Sequence, residues 1–103
     1  MKKTLPLAAA LGLALAAMPA LANLELAQKN SCTACHAVDK KLVGPAYKEV
    51  AAKYRSRKDA EAYLVKKIKE GSTGVWGPIP MPPNGTVADD EAKTLAKYIL
   101  TIK

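Results

Sequence analysis

Five consecutive residues, Cys32-Thr33-Ala34-Cys35-His36, constrain this chain more than any other feature. Two thiols three positions apart lie about one helical turn from each other, and an imidazole follows directly. Neighbouring pyrroles of a porphyrin carry one vinyl group each, and this spacing lets both thiols form thioethers with them. The next side chain can then place a ring nitrogen under the iron. Cys32 and Cys35 are therefore candidate attachment points for a covalent haem c, and His36 is a candidate iron ligand. Two other uses of the same residues fit less well. A redox-active pair of this spacing normally follows a strand, and no strand-like alternation precedes Cys32. A structural zinc site needs four ligands, whereas the chain holds two Cys and one His. With both thiols consumed by thioethers, no disulfide is expected.

The start of the chain reads as an address. Met1-Lys2-Lys3 is a short positive segment, Leu5 to Met18 is apolar and uncharged, and Ala20-Leu21-Ala22 has the small-x-small pattern of a signal peptidase site. The expectation is a signal peptide over 1–22, cleaved after Ala22, and one domain over 23–103. Pro6, Gly12 and Pro19 weaken the alternative of a retained membrane anchor. Periplasmic location follows, without stable membrane insertion after cleavage. Export agrees with the thiols, because haem c is attached outside the cytoplasm.

Helical periodicity and turn residues divide the rest. Residues 23–30 read as a short helix leading into the thiol motif. Residues 38–43 read as an exposed turn and Val43-Gly44-Pro45-Ala46-Tyr47 as a fixed loop, because Pro45 biases Gly44 away from helix. A helix is expected over 47–55, with Val50 and Tyr54 on one face and Glu49 placed to pair with Lys53. Another spans 59–70, with Asp59 as N-cap, Ala60, Leu64 and Ile68 on the buried face, and Gly71 as its stop. Lys66, Lys67 and Lys69 suit the negative end of its dipole. The last covers 89–102, with Leu95, Tyr98, Ile99 and Ile102 at helical spacing. No strand pattern is present, so the domain should be all-α.

So short a domain buries a modest core. There is no Phe, with four Tyr and one Trp, so a held porphyrin would supply apolar bulk that the side chains lack, and the apo chain should fold poorly. The formal charge is +7, of which Lys2 and Lys3 supply two; two ionised propionates would remove two more. A basic exported protein is expected to meet acidic patches on redox proteins rather than nucleic acid. Lys29, Lys40, Lys41 and Lys48 are candidates for steering them. A monomer is expected.

Residues 72–88 form a long connection with four Pro, three Gly and the single Trp. A connection this long in a small domain is commonly functional. Trp76, Ile79 and Met81 among the prolines suggest a rigid, packed loop. Met81 is the sole Met of 23–103, where no second His exists. Its thioether, in Ile79-Pro80-Met81-Pro82-Pro83-Asn84, is therefore the candidate for the sixth iron position. Such a ligand raises the reduction potential, and the prolines lower the entropy lost on ordering the loop. Iron ligated on both sides has no ready place for a substrate, which favours an electron carrier over an enzyme. The alternative is a haem enzyme or gas-binding protein with an open distal site, which would require Met81 to be off the iron.

The chain resembles the small bacterial monohaem class I cytochromes c of the cytochrome c-551/c-552 kind, over essentially all of 23–103. The resemblance rests on Cys32-Thr33-Ala34-Cys35-His36, Val43-Gly44-Pro45-Ala46-Tyr47 and the run Gly74-Val75-Trp76-Gly77-Pro78-Ile79-Pro80-Met81-Pro82-Pro83-Asn84. It implies about four short helices wrapped around one covalent haem, and electron transport among respiratory proteins such as a nitrite reductase, an oxidase or a peroxidase. It also implies roles. Met81 is the distal ligand, and the Pro45 carbonyl accepts the second ring N–H of His36. Trp76 donates to a haem propionate, against the simpler reading of core packing, and Asn84 steadies the Met. Lys67 stands where the family often has an Arg contacting a propionate, and a Lys supplies the charge without the planar fork. The stretch Asn84-Gly85-Thr86-Val87 is one residue longer than in the shortest members.

Overall fold

The computed structural model describes residues 19–103; the charged start and the apolar run of the expected signal peptide lie outside them. Four α-helices and one 3-10 turn follow in order: α1 (Pro19–Lys29), the 3-10 turn (Cys32–Ala34), α2 (Tyr47–Tyr54), α3 (Ala60–Glu70) and α4 (Asp89–Leu100). Among the described residues there are no strands, only two isolated bridges, His36 with Lys41 and Ser72 with Met81. No helix among them is long and apolar enough to cross a membrane.

The expected helices are present, and α1 begins earlier than the 23–30 read from the sequence, crossing the Ala22–Asn23 junction. α4 is the centre: α1, α2 and α3 all pack against it. Alanine makes the close approaches possible. Ala27 of α1 and Ala92 of α4 are fully buried in a cluster with Ile68, Val87 and Leu95. A second cluster joins Tyr47, Val50 and Tyr54 of α2 to Ala60 and Leu64 of α3 and to Ala96 and Ile99 of α4. The anticipated apolar faces of α2 and α3 are buried as read; on α4, Leu95 and Ile99 are buried while Tyr98 is half-buried, and Ile102, also half-buried, lies beyond the end of the helix at Leu100 and not within the expected 89–102. No buried residue among those described is polar or charged.

Two local readings change. Asp59 occupies the N-cap position of α3, but its side chain caps nothing. It pairs instead with Arg57, two residues earlier, because a guanidinium fork offers a carboxylate two charged donors. Glu49 does not reach for Lys53. Its carboxylate turns back to accept the Ala46 N–H at 3.4 Å, and the Lys53 ammonium lies 4.8 Å over the Trp76 ring.

The junction of α1 with α4 carries a pH dependence. Glu91 accepts a hydrogen bond from Lys29 Nζ at 3.0 Å and a longer one from Asn30 Nδ2 at 3.5 Å. The Lys29 bond, helped by Asn30, holds the Glu91 carboxyl below its ordinary value. A depressed folded value means that this contribution is present above the unfolded pKa, about 4.3, and is lost as pH falls through the folded one. Glu91→Gln should therefore lower the thermal midpoint modestly at pH 6, and the gap to the wild type should close as pH falls below the unfolded value of about 4.3 and through the lower folded one. Thermal unfolding followed across that range checks it.

Candidate functional site

The thiol motif is shaped by its entrance. After α1 ends, Ser31 adopts a left-handed conformation (φ 63), which turns the chain sharply into the 3-10 turn. Within that turn the Cys35 and His36 N–H groups both donate to the Cys32 carbonyl, at 3.2 and 3.0 Å. The two thiols are free and half-buried. Burial pushes the Cys32 thiol above its ordinary value.

His36 is held from three sides. Its Nδ1 lies 2.7 Å from the Pro45 carbonyl oxygen. A carbonyl can only accept, so Nδ1 carries the proton and Nε2 is left with its lone pair free to bind a metal. The ring stacks on Tyr47, with centroids 5.3 Å apart and planes at 24°. The third contact is Gly44, where an added Cβ would sit 2.7 Å from Cε1 of the imidazole. The backbone ties the two segments together, since the Gly44 N–H donates to the Cys35 carbonyl at 2.7 Å and the Tyr47 N–H to the Ala37 carbonyl at 2.9 Å. Gly44→Ala should force the ring aside, weaken its bond to Pro45 and lower stability by about 1–3 kcal/mol. A changed ring-proton chemical shift for His36 together with a lower denaturation midpoint would be the signature.

Residues 72–88 cross the far side of the site. Ser72 and Met81 exchange both backbone hydrogen bonds, at 3.0 and 2.9 Å. This is possible because Gly71, with φ +77, admits the Met81 carbonyl; a Cβ there would lie 2.4 Å from that oxygen. Gly71 thus ends α3 as expected and also makes room for the loop. Asn84 donates from its backbone N–H to the Ile68 carbonyl at 3.0 Å, and from its side-chain amide to the Ile68 and Pro82 carbonyls at 3.2 and 3.3 Å. Its bonds therefore run to α3 and to the residue that follows Met81 within the loop.

A cavity of about 260 Å³ lies between these segments, lined among others by Cys35, His36, Pro45, Lys67, Trp76 and Met81. Cys32 and Asn84 line an adjoining hollow that shares Cys35 and Met81. All eight residues singled out in the sequence thus surround one region. The expectation of a packed loop is met only in part. Trp76 is 37% exposed and Ile79 60%, because both stand on the cavity wall and not in the helical core. Trp76 is braced by the Lys53 ammonium and by the buried Tyr54, whose ring centroid lies 6.2 Å away edge-on. Burial and the neighbouring Tyr63 push the Tyr54 hydroxyl up to about 12, so it stays neutral. Lys67 sits 5.2 Å from the Tyr63 ring.

Sequence reasoning missed Tyr47 and Lys53 as parts of the site. Tyr47 sits in the quoted Val43–Tyr47 segment, and its proximity to the thiol motif had no signal in one dimension.

Residues 24–103 match the cytochrome c family. The chain is 60% identical over 84 residues to cytochrome c-552 of Nitrosomonas europaea, covering 82% of each. It is 62% identical over 78 residues to cytochrome c-551 of Pseudomonas aeruginosa, covering 76% of this chain and 74% of that one. The crystal structure of the wild-type Nitrosomonas europaea cytochrome c552 superposes with a TM-score of 0.76 at 60% identity, over 78% of this chain and 99% of that one. The chain belongs to the cytochrome c family, among the small bacterial c-551/c-552 proteins. It is a small haem c electron carrier of class I fold, and its prosthetic group is covalently bound. The residues present in this cytochrome c suit that group. They offer two free thiols at thioether spacing, an imidazole whose free nitrogen is set by its partner, and an apolar cavity walled by Leu64, Ile68 and Ile99.

Proposed function

We propose that this cytochrome c is a periplasmic one-electron carrier in which Cys32 and Cys35 hold the haem and His36 and Met81 are its axial ligands. The observation that carries this reading is the pairing within one cavity of a tautomerically fixed His36 and a Met81 whose backbone is bridged to Ser72. When bound, the haem supplies an Fe(III)/Fe(II) couple. The chain's own residues keep two ligand atoms in place in both oxidation states, so that little must reorganise on electron transfer. Pro45 orients the imidazole, Gly71 and Ser72 fix the backbone of Met81, and Asn84 ties the following turn to α3. Trp76 and Lys67 at the cavity are placed to hold the propionates, one as a donor and one as a cation. With neither axial face free, the protein is a carrier and not an enzyme.

Residues 1–22 act as the signal peptide, and residues 23–103 form the working domain, a monomer. Its partners are respiratory redox proteins presenting acidic patches to its basic surface. The optical spectra of the exported protein, oxidised and reduced, test the ligand assignment. A far-red sulfur-to-iron band in the ferric state is expected. Its absence, with ready binding of cyanide or carbon monoxide, would overturn the assignment in favour of an open distal site.

A further inference from the structure

The turn that follows Met81 is tied to α3 at both ends. Asn84 and Val87 close it with a hydrogen bond from the Val87 N–H to the Asn84 carbonyl at 3.1 Å. At its start, Asn84 gives two N–H groups to the carbonyl of Ile68. At its end, the ammonium of Lys69, the next residue of α3, donates to the Val87 carbonyl at 2.6 Å and pairs with Asp89 at 2.8 Å. Gly85 and Thr86 between these ties are exposed, and a Cβ at Gly85 would meet no atom within 4 Å. Packing therefore does not restrain the middle of the turn. Its length is set by its two attachments.

A Lys in the last turn of a helix needs no more explanation than the dipole. Here the ammonium leaves its helix to bond a loop carbonyl, with its side chain only 26% exposed. We propose that Lys69 is a positioning residue for Met81: by holding the Val87 carbonyl it takes up the slack of the 84–87 turn and keeps the thioether on the iron. The inference rests on Met81 being the distal ligand. Ile68, Lys69 and Gly71, all at one end of α3, then act as a single clamp on both flanks of that residue. Val87's side chain, buried against Ile68, Ala92 and Leu95, anchors the turn on its apolar side, while Lys69 fixes the backbone that leads back to Asn84.

The holoprotein and three variants, Lys69→Met, Lys69→Arg and Lys29→Met, test this with imidazole as a competing ligand for the ferric iron. Lys29→Met removes the other ion pair that anchors α4 and reports the effect of general destabilisation. Lys69→Met should bind imidazole about tenfold more tightly than the wild type, the scale of one lost charge-assisted hydrogen bond. Lys69→Arg should stay within about twofold, and Lys29→Met likewise, whatever its loss of thermal midpoint. Lys69→Gln replaces the Met variant if that variant does not load haem. Equal imidazole affinity in Lys69→Met and wild type would overturn the proposal, as would an equal rise in Lys29→Met. A wild-type ferric protein without the far-red band fails at an earlier step, because it removes Met81 from the iron before Lys69 is considered.

Discussion

Met81→Ala is expected to lower the reduction potential by ~0.1–0.3 V, a substantial part of the roughly 0.8 V over which axial ligands tune haem proteins. The thioether favours the reduced iron, and no second Met or His exists within 23–103 to replace it. The variant should also lose the far-red ferric band and bind carbon monoxide once reduced, turning a carrier into a protein with an accessible iron. The fold should survive. The two bonds between Ser72 and Met81 are backbone bonds, and Pro80, Pro82 and Pro83 continue to restrict the loop. Voltammetry and reduced spectra under carbon monoxide read both effects. A potential unchanged from wild type would remove Met81 from the axial position.

Replacing Cys32 and Cys35 together by Ala should have the larger effect on stability. Without thioethers the porphyrin is lost easily, and the walls of a cavity of about 260 Å³ are left without a filling. At roughly 24 cal/mol per Å³, a void of that size costs on the order of 6 kcal/mol. Small domains have only about 5–15 kcal/mol of net stability. The chain has no Phe with which to collapse the space, and Tyr47, Leu64 and Ile99 serve both the core and the cavity wall. The double variant should therefore lose its cooperative thermal transition near room temperature, with helical circular dichroism reduced. A sharp transition within a few degrees of the holoprotein would show that the helices pack without the group.

The helices were legible because each carries its period locally: Ala60, Leu64 and Ile68 repeat every four residues, and all three are buried. The long connection was legible as special from its prolines and glycines, but not as a cavity wall. A Trp and an Ile in a stiff loop suggest packing by chemistry alone, and whether they face a core or a cleft depends on elements distant in sequence. Asp59 shows the same limit at short range. An N-cap and an ion pair use the same carboxylate, and the presence of Arg57 two residues away decided between them.

Cys32-Thr33-Ala34-Cys35-His36 by itself pointed to a covalent haem and to the two candidate thiols for it, because thioether spacing is a property of neighbouring residues. It also left one imidazole and one thioether, His36 and Met81, as the only residues of their kinds in 23–103. The tertiary structure decided how each is held. The proton on His36 Nδ1 depends on the Pro45 carbonyl, the ring's room depends on Gly44, and the turn after Met81 is tied to α3 through Ile68 and Lys69. Those restraints act between residues eight to eighteen positions apart in sequence, through hydrogen bonds and contacts that form only as the chain folds.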